Sequence, residues 1–177
     1  LEKTNEPYAI AKIAGIKMCS SYNYQYGLNY KCLMPCNSYG IKDNYELKTS
    51  HFFPALIRKI ISAIHSNQDY IKVWGSGKPL RELIFCEDIA DACIYFLNKK
   101  TSQSLINIGT GTDMTINHYA KFIMKHLGVK LRIINEKGKL EGTYKKLLDV
   151  SLAKRYGWKY KTSLEKVGSF LREARQG

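Results

Sequence analysis

The chain contains no run of five or more lysines and arginines, no Cys-x-x-Cys pair and no zinc-finger or other metal-ligand spacing. It also lacks an apolar stretch of membrane-spanning length and a phosphate loop of the Gly-x-Gly-x-x-Gly or Gly-x-x-Gly-x-x-Gly kind. Without a clustered basic stripe or a nucleic-acid motif, the scattered lysines read as a solvated surface rather than a nucleic-acid face. The charge still matters: 28 basic against 15 acidic residues give a net +13, which attracts anions, phosphorylated small molecules among them. Five cysteines, odd in number and set in apolar surroundings, read as reduced, buried thiols in a cytoplasmic protein. With no spanning stretch and no leader pattern, no membrane partner is expected.

What is present is organised around residues 6–27. Pro7 suits a first helical turn, Ala9, Ala11 and Ala14 favour propagation, and Gly27 is a stop. The spacing predicts one helix with Tyr8 and Lys12 on the same face, one turn apart. An ammonium so close favours the phenolate, which makes a tyrosine useful in proton transfer. Tyr95 and Lys99 repeat the spacing at the polar end of another segment, so spacing alone does not choose between them. At 177 residues the chain is long enough for one core. Its start at Leu1, almost at once followed by a helix, reads as a piece of something longer.

Residues 30–40 form a short apolar run ending in turn formers, a strand whose carboxyl end carries Asn37 and Ser38. Residues 51–65 are an amphipathic helix with Pro54 in its first turn, and 70–74 alternate as a strand broken by Gly75-Ser-Gly77. A strand over 81–86, a helix over 89–97, a strand over 105–108 and a helix from Thr115 to Leu127 follow. Residues 131–134 are a strand, 138–146 a basic loop, and 151–156 and 163–174 helical segments. A helix leading into a buried strand is the pattern of a parallel α/β sheet, which binds ligands beyond the carboxyl ends of its strands. No internal repeat is visible.

Tyr8-x-x-x-Lys12, Trp74-Gly-Ser-Gly-Lys-Pro-Leu-Arg-Glu82, Asp88-Ile-Ala90 and Asn107-Ile-Gly-Thr-Gly111 occur in the order found in extended short-chain dehydrogenases/reductases. The longer segments 6–15, 34–40, 50–58 and 146–150 resemble the GDP-L-fucose synthase family, over nearly the whole chain but only the second half of such enzymes. That family takes GDP-4-keto-6-deoxymannose to GDP-fucose by 3,5-epimerisation and NADPH-dependent reduction at C4. The resemblance implies that Tyr8 is the acid at the sugar C4 oxygen and that Lys12 binds the nicotinamide ribose. It places Pro35, Cys36, Asn37 and Ser38 against the nicotinamide, and His51 near NADP(H) and sugar as an acid in epimerisation. Lys59, Trp74, Arg81, Glu141 and Lys146 match nucleotide-sugar contacts. Cations suit a diphosphate and an indole suits a flat base. Gly75 and Gly77 are expected to let the ligand approach the backbone.

Lys59 and Glu141 stand where the family usually has Arg and Asp, and the dinucleotide-binding glycines, catalytic Ser and epimerase Cys of the family lie upstream of its matching half. The expectation is therefore an α/β chain. Residues 1–45 would be the tail of an NADP-binding Rossmann domain and 46–177 the small substrate-binding domain. Such a chain is expected to be inactive alone, with residues 1–40 poorly supported and the tyrosine helix contributing to a homodimer. Two other readings fit the residues: a UDP- or dTDP-sugar epimerase or dehydratase of the same superfamily, and a non-catalytic anion-binding module.

Overall fold

A computed structural model of the chain describes residues 6–136, 138, 142–168 and 171. Helix α1 runs Glu6–Tyr26, and Gly27 ends it in the left-handed region at φ +64°. Two short strands follow, β1 (Cys32–Pro35) and β2 (Asn37–Tyr39), then helix α2 (Phe52–His65). Strands β3 (Tyr70–Trp74) and β4 (Leu80–Phe85) lead into helix α3 (Cys86–Asn98). Strands β5 (Leu105–Ile108) and β6 (Asp113–Thr115) precede helix α4 (Ile116–His126). The Thr115 hydroxyl accepts from the His118 N–H at 3.1 Å, so the expected cap forms. Strands β7 (Arg132–Glu136) and β8 (Lys145–Lys146), helix α5 (Ser151–Arg155) and a 3₁₀ turn (Leu164–Lys166) complete the described elements. The helix expected over 163–174 falls partly outside the described residues, and the basic loop at 138–146 ends in a strand.

The fold is α/β and its strand pairings are mostly parallel. β1 pairs with β5, β2 with β4, β3 with β7 and β8 with β4, while β6 joins β4 antiparallel. β4 is the shared wall. Because side chains alternate along a strand, Leu83 enters one core and Ile84 the other. The first core packs α2 on α4 and β3, with Ile57, Ile60 and Ile123 almost wholly buried, each contributing about 1.5–3 kcal/mol. The second gathers Phe96 of α3, Ile106 and Ile108 of β5, Ala153 of α5 and Trp158. Here Asp88 accepts the Lys161 and Thr162 N–H groups at 2.9 and 3.0 Å, tying the later segment to α3. The β1–β5 pairing and this second core draw residues from both sides of position 45.

α1 buries no residue: Ile10, Ile13, Met18, Tyr22 and Tyr26 are exposed around it. Apolar side chains on several sides of a helix suit it to be covered on more than one side. Two readings change. Among the cysteines, Cys19, Cys32 and Cys36 are half-buried but Cys86 and Cys93 are exposed, so not all five thiols are buried as expected.

The second change concerns Gly77, whose close approach is to a side chain and not to an open ligand path. At φ +68°, a Cβ on Gly77 would lie 2.1 Å from the Asn117 Oδ1. Asn117 donates its N–H to the Gly77 carbonyl at 3.0 Å and exchanges amide hydrogen bonds with Asn135 at 3.1 and 3.2 Å. Gly77→Ala should therefore cost about 1–3 kcal/mol through backbone strain, before counting the clash. A thermal melt unchanged by this substitution would contradict the assignment.

Candidate functional site

On α2, Phe52, Ala55, Leu56 and Lys59 follow the i, i+3, i+4, i+7 spacing that puts side chains in one stripe. That stripe, with Ser50 and His51 at its start, forms one wall of a cleft of about 600 Å³. The facing wall comes from Lys72, Val73 and Trp74 at the carboxyl end of β3 and Glu136 at the carboxyl end of β7. Pro79, Arg81 and Ile116 close it. Four of the sequence-derived candidates, His51, Lys59, Trp74 and Arg81, thus share one cavity. It lies where parallel strands end, as open α/β sheets dictate.

Each of the four is held for a reason. His51 is the N-cap of α2, and its side chain makes no capping hydrogen bond. The Lys59 ammonium donates to the Lys72 carbonyl at 2.9 Å and lies 5.3 Å from the centre of the Trp74 ring. Burial lowers the Lys59 pKa, and the Glu136 carboxylate works against that shift. Trp74 presents a largely exposed indole. The Arg81 side chain is buried, its pKa is lowered by desolvation, and it donates to the Leu80 carbonyl at 2.8 Å. Across β4 and β8, Lys146 stands in register with Arg81 and is exposed. The Ser50 Oγ is buried beside the cleft with no hydrogen-bond partner among the described residues. An orphaned hydroxyl in a cavity wall is a polar group awaiting a partner.

Tyr8 and Lys12 do not line this cleft. They meet as the helical spacing requires, the ammonium 5.4 Å from the ring centre, on the exposed surface of α1. The competing pair is now distinguishable. Lys99 lies 5.7 Å from the Tyr95 ring, but the Tyr95 hydroxyl donates to the Tyr156 carbonyl at 2.7 Å inside the second core. Its phenol is committed to structure.

Pro35, Cys36, Asn37 and Ser38 lie where the chain leaves its β5 partner and joins β4. Cys36 donates its N–H to the Ile108 carbonyl at 2.9 Å. Burial, and then the charge of Glu82, push its thiol up to about 12, which disfavours the reactive thiolate. Pro35 and Ser38 are exposed and Asn37 half-buried. Glu141 lies outside the described residues.

Residues 1–109 match the NAD dependent epimerase/dehydratase family. The chain belongs to that family. The GDP-L-fucose synthase of Escherichia coli (strain K12) is 46% identical over 93% of this chain and 54% of its own length. The GDP-L-colitose synthase of Yersinia pseudotuberculosis is 41% identical over 93% of this chain and 54% of its own length. Among solved structures, the GDP-mannoheptose C4 reductase of Campylobacter jejuni, determined with NADP bound, superposes with a TM-score of 0.86. That match is 28% identical and covers 100% of this chain and 62% of the other. The chain spans about half the length of the curated relatives it matches.

Within this family member, the Asn107–Gly111 turn invites reading as a phosphate loop. Its geometry says otherwise. The Gly111 N–H donates to the buried Glu82 carboxylate at 2.6 Å, and a Cβ on Gly109 would lie 2.3 Å from the same oxygen. Gly109 makes room for Glu82 and the Gly111 N–H is spent on it, so this turn is not a free glycine cradle for a pyrophosphate. Glu82, Glu136, Lys72 and Ser50 were not singled out by sequence reasoning. Ser50 adjoins His51 and was within reach of it. The others depend on strand pairings between distant segments.

Proposed function

We propose that this chain is the sugar-nucleotide-binding half of an NADP(H)-dependent epimerase/reductase acting on a GDP-4-keto-6-deoxy sugar or a related GDP-4-keto-heptose. The supporting observation is the single cleft that joins His51, Lys59, Trp74 and Arg81 at the ends of β3 and β7. Arg81, Lys59 and Lys146 supply charge for a diphosphate, and the family resemblance adds Glu141 as a further nucleotide-sugar contact. Trp74 supplies a flat face for the base, and His51 a proton-carrying ring at the sugar end. Residues 1–45 would serve the dinucleotide domain and 46–177 the substrate.

A bound nicotinamide would supply hydride to the sugar. Lys12 would hold its ribose, and Pro35, Cys36, Asn37 and Ser38 would lie against the nicotinamide ring, while no cradle for its pyrophosphate occurs among the described residues. Tyr8 would hold the proton destined for the C4 oxygen, Lys12 would favour its release, and His51 would act in epimerisation. The exposed apolar surface of α1 would be covered by the partnering half of the enzyme and by a second copy of the helix in a homodimer. On this reading the chain acts in the cytoplasm and is inactive by itself.

Thermal-shift titration with GDP, GDP-mannose, UDP and dTDP at low and high salt tests this reading, alongside a check for NADPH consumption. Selective stabilisation by the guanine nucleotides, without turnover, is the anticipated outcome. Equal shifts with every nucleotide that vanish in salt would reduce the cleft to generic anion binding. Reduction of a GDP-4-keto sugar by the chain alone would overturn the division of labour.

A further inference from the structure

Resting on the reading of the cleft as a GDP-sugar site, we infer that Glu136 is the residue that selects guanine. Trp74 and Glu136 are the last register pair of β3 and β7, and the Gly75 N–H donates to the Glu136 carbonyl at 3.0 Å, fixing the two strand ends together. Paired strands lie about 4.8 Å apart, so the Glu136 carboxylate stands at the edge of any ring stacked on the indole. Register partners also point to the same face, and both residues line the cleft.

Glu136 is the one acidic residue among the described lining groups, against Lys59, Lys72 and Arg81. In a cavity suited to a diphosphate, a carboxylate repels the ligand unless it meets the ligand's donor groups. No hydrogen bond among the described residues engages the Glu136 side chain, although it is half-buried and acts on Lys59 through its charge.

Guanine offers what such a group requires. Its N1–H and N2 amino group are adjacent donors that match the two oxygens of one carboxylate. Uracil and thymine present a single N–H between two carbonyl oxygens, and both oxygens would be repelled. Hypoxanthine keeps the N1–H and lacks the amine, which makes inosine diphosphate the discriminating probe. The rival role for Glu136 is to balance the charge of Lys59, which would affect every nucleotide alike.

The test is calorimetric titration of the 177-residue chain and its Glu136→Gln and Glu136→Ala variants with GDP, inosine diphosphate and UDP. Ligand-free melts would establish that the variants are folded. A charge-assisted hydrogen bond to the amine should make GDP bind the unaltered chain about tenfold or more tighter than inosine diphosphate. Both substitutions should shrink that preference to about twofold, weakening GDP most, inosine diphosphate less through the lost N1–H bond, and UDP not at all. A common factor for all three nucleotides in the variants would assign Glu136 to Lys59 and overturn the inference alone, as would equal binding of GDP and inosine diphosphate by the unaltered chain. Failure of every nucleotide to bind would remove the cleft reading together with it.

Discussion

Glu82→Ala should destabilise the chain by about 2–5 kcal/mol, a large share of the stability of a typical domain. Glu82 is fully buried in β4. One carboxylate oxygen accepts from the Gly111 N–H at 2.6 Å and the Thr110 hydroxyl at 3.4 Å, and the other from the Leu148 N–H at 2.9 Å. Alanine would strand two backbone donors away from water and leave a void where the carboxylate sat. Glutamine is the informative control. Its carbonyl oxygen can serve one of the two N–H groups while its NH₂ faces the other, so it should lose less than alanine and more than nothing. Denaturant titration of both variants measures this, and an alanine variant within 1 kcal/mol of the parent would refute the assignment. The effect should reach the cleft as well. Arg81 precedes Glu82, and Leu148 lies two residues beyond Lys146. Loosening the Glu82 tether therefore frees the segment that sets Lys146 beside Arg81.

Arg81→Ala should weaken GDP binding about a hundredfold or more. A hydrogen bond to a charged group contributes roughly 1.5–3 kcal/mol, and a guanidinium can place two on one phosphate. Arg81 is already desolvated in the cleft wall, so salt screens it less than an exposed lysine. Arg81→Lys keeps the charge but loses the planar fork, and about a tenfold loss is anticipated. Lys146→Ala, at an exposed position, should cost far less and be more sensitive to salt. Calorimetric affinities at two ionic strengths separate these cases. A GDP affinity within threefold of the parent in Arg81→Ala would exclude Arg81 as the diphosphate anchor.

Local structure was legible because it follows from rules that operate over a few residues. Pro7 and Gly27 bracket α1, Thr115 caps α4, and the spacing of Tyr8 and Lys12 fixes their contact, since each depends only on backbone geometry within a few helical turns. The family motifs likewise named His51, Lys59, Trp74 and Arg81 before their cavity was seen.

What required the assembled molecule were choices among distant partners. Tyr8-x-x-x-Lys12 and Tyr95-x-x-x-Lys99 have the same spacing, and only the Tyr156 carbonyl, 61 residues from Tyr95, shows which phenol is committed. Gly77 looked like a ligand approach until Asn117 was placed against it. Glu82 looked like any strand carboxylate until the Gly109–Gly111 turn and Leu148 closed over it. Glu136 gained its place beside Trp74 through β3–β7 register. Helical propensity and residue spacing are local properties of a chain, whereas strand register and burial are set by the simultaneous packing of every apolar face, so neighbours across sixty residues emerge only when the whole core closes.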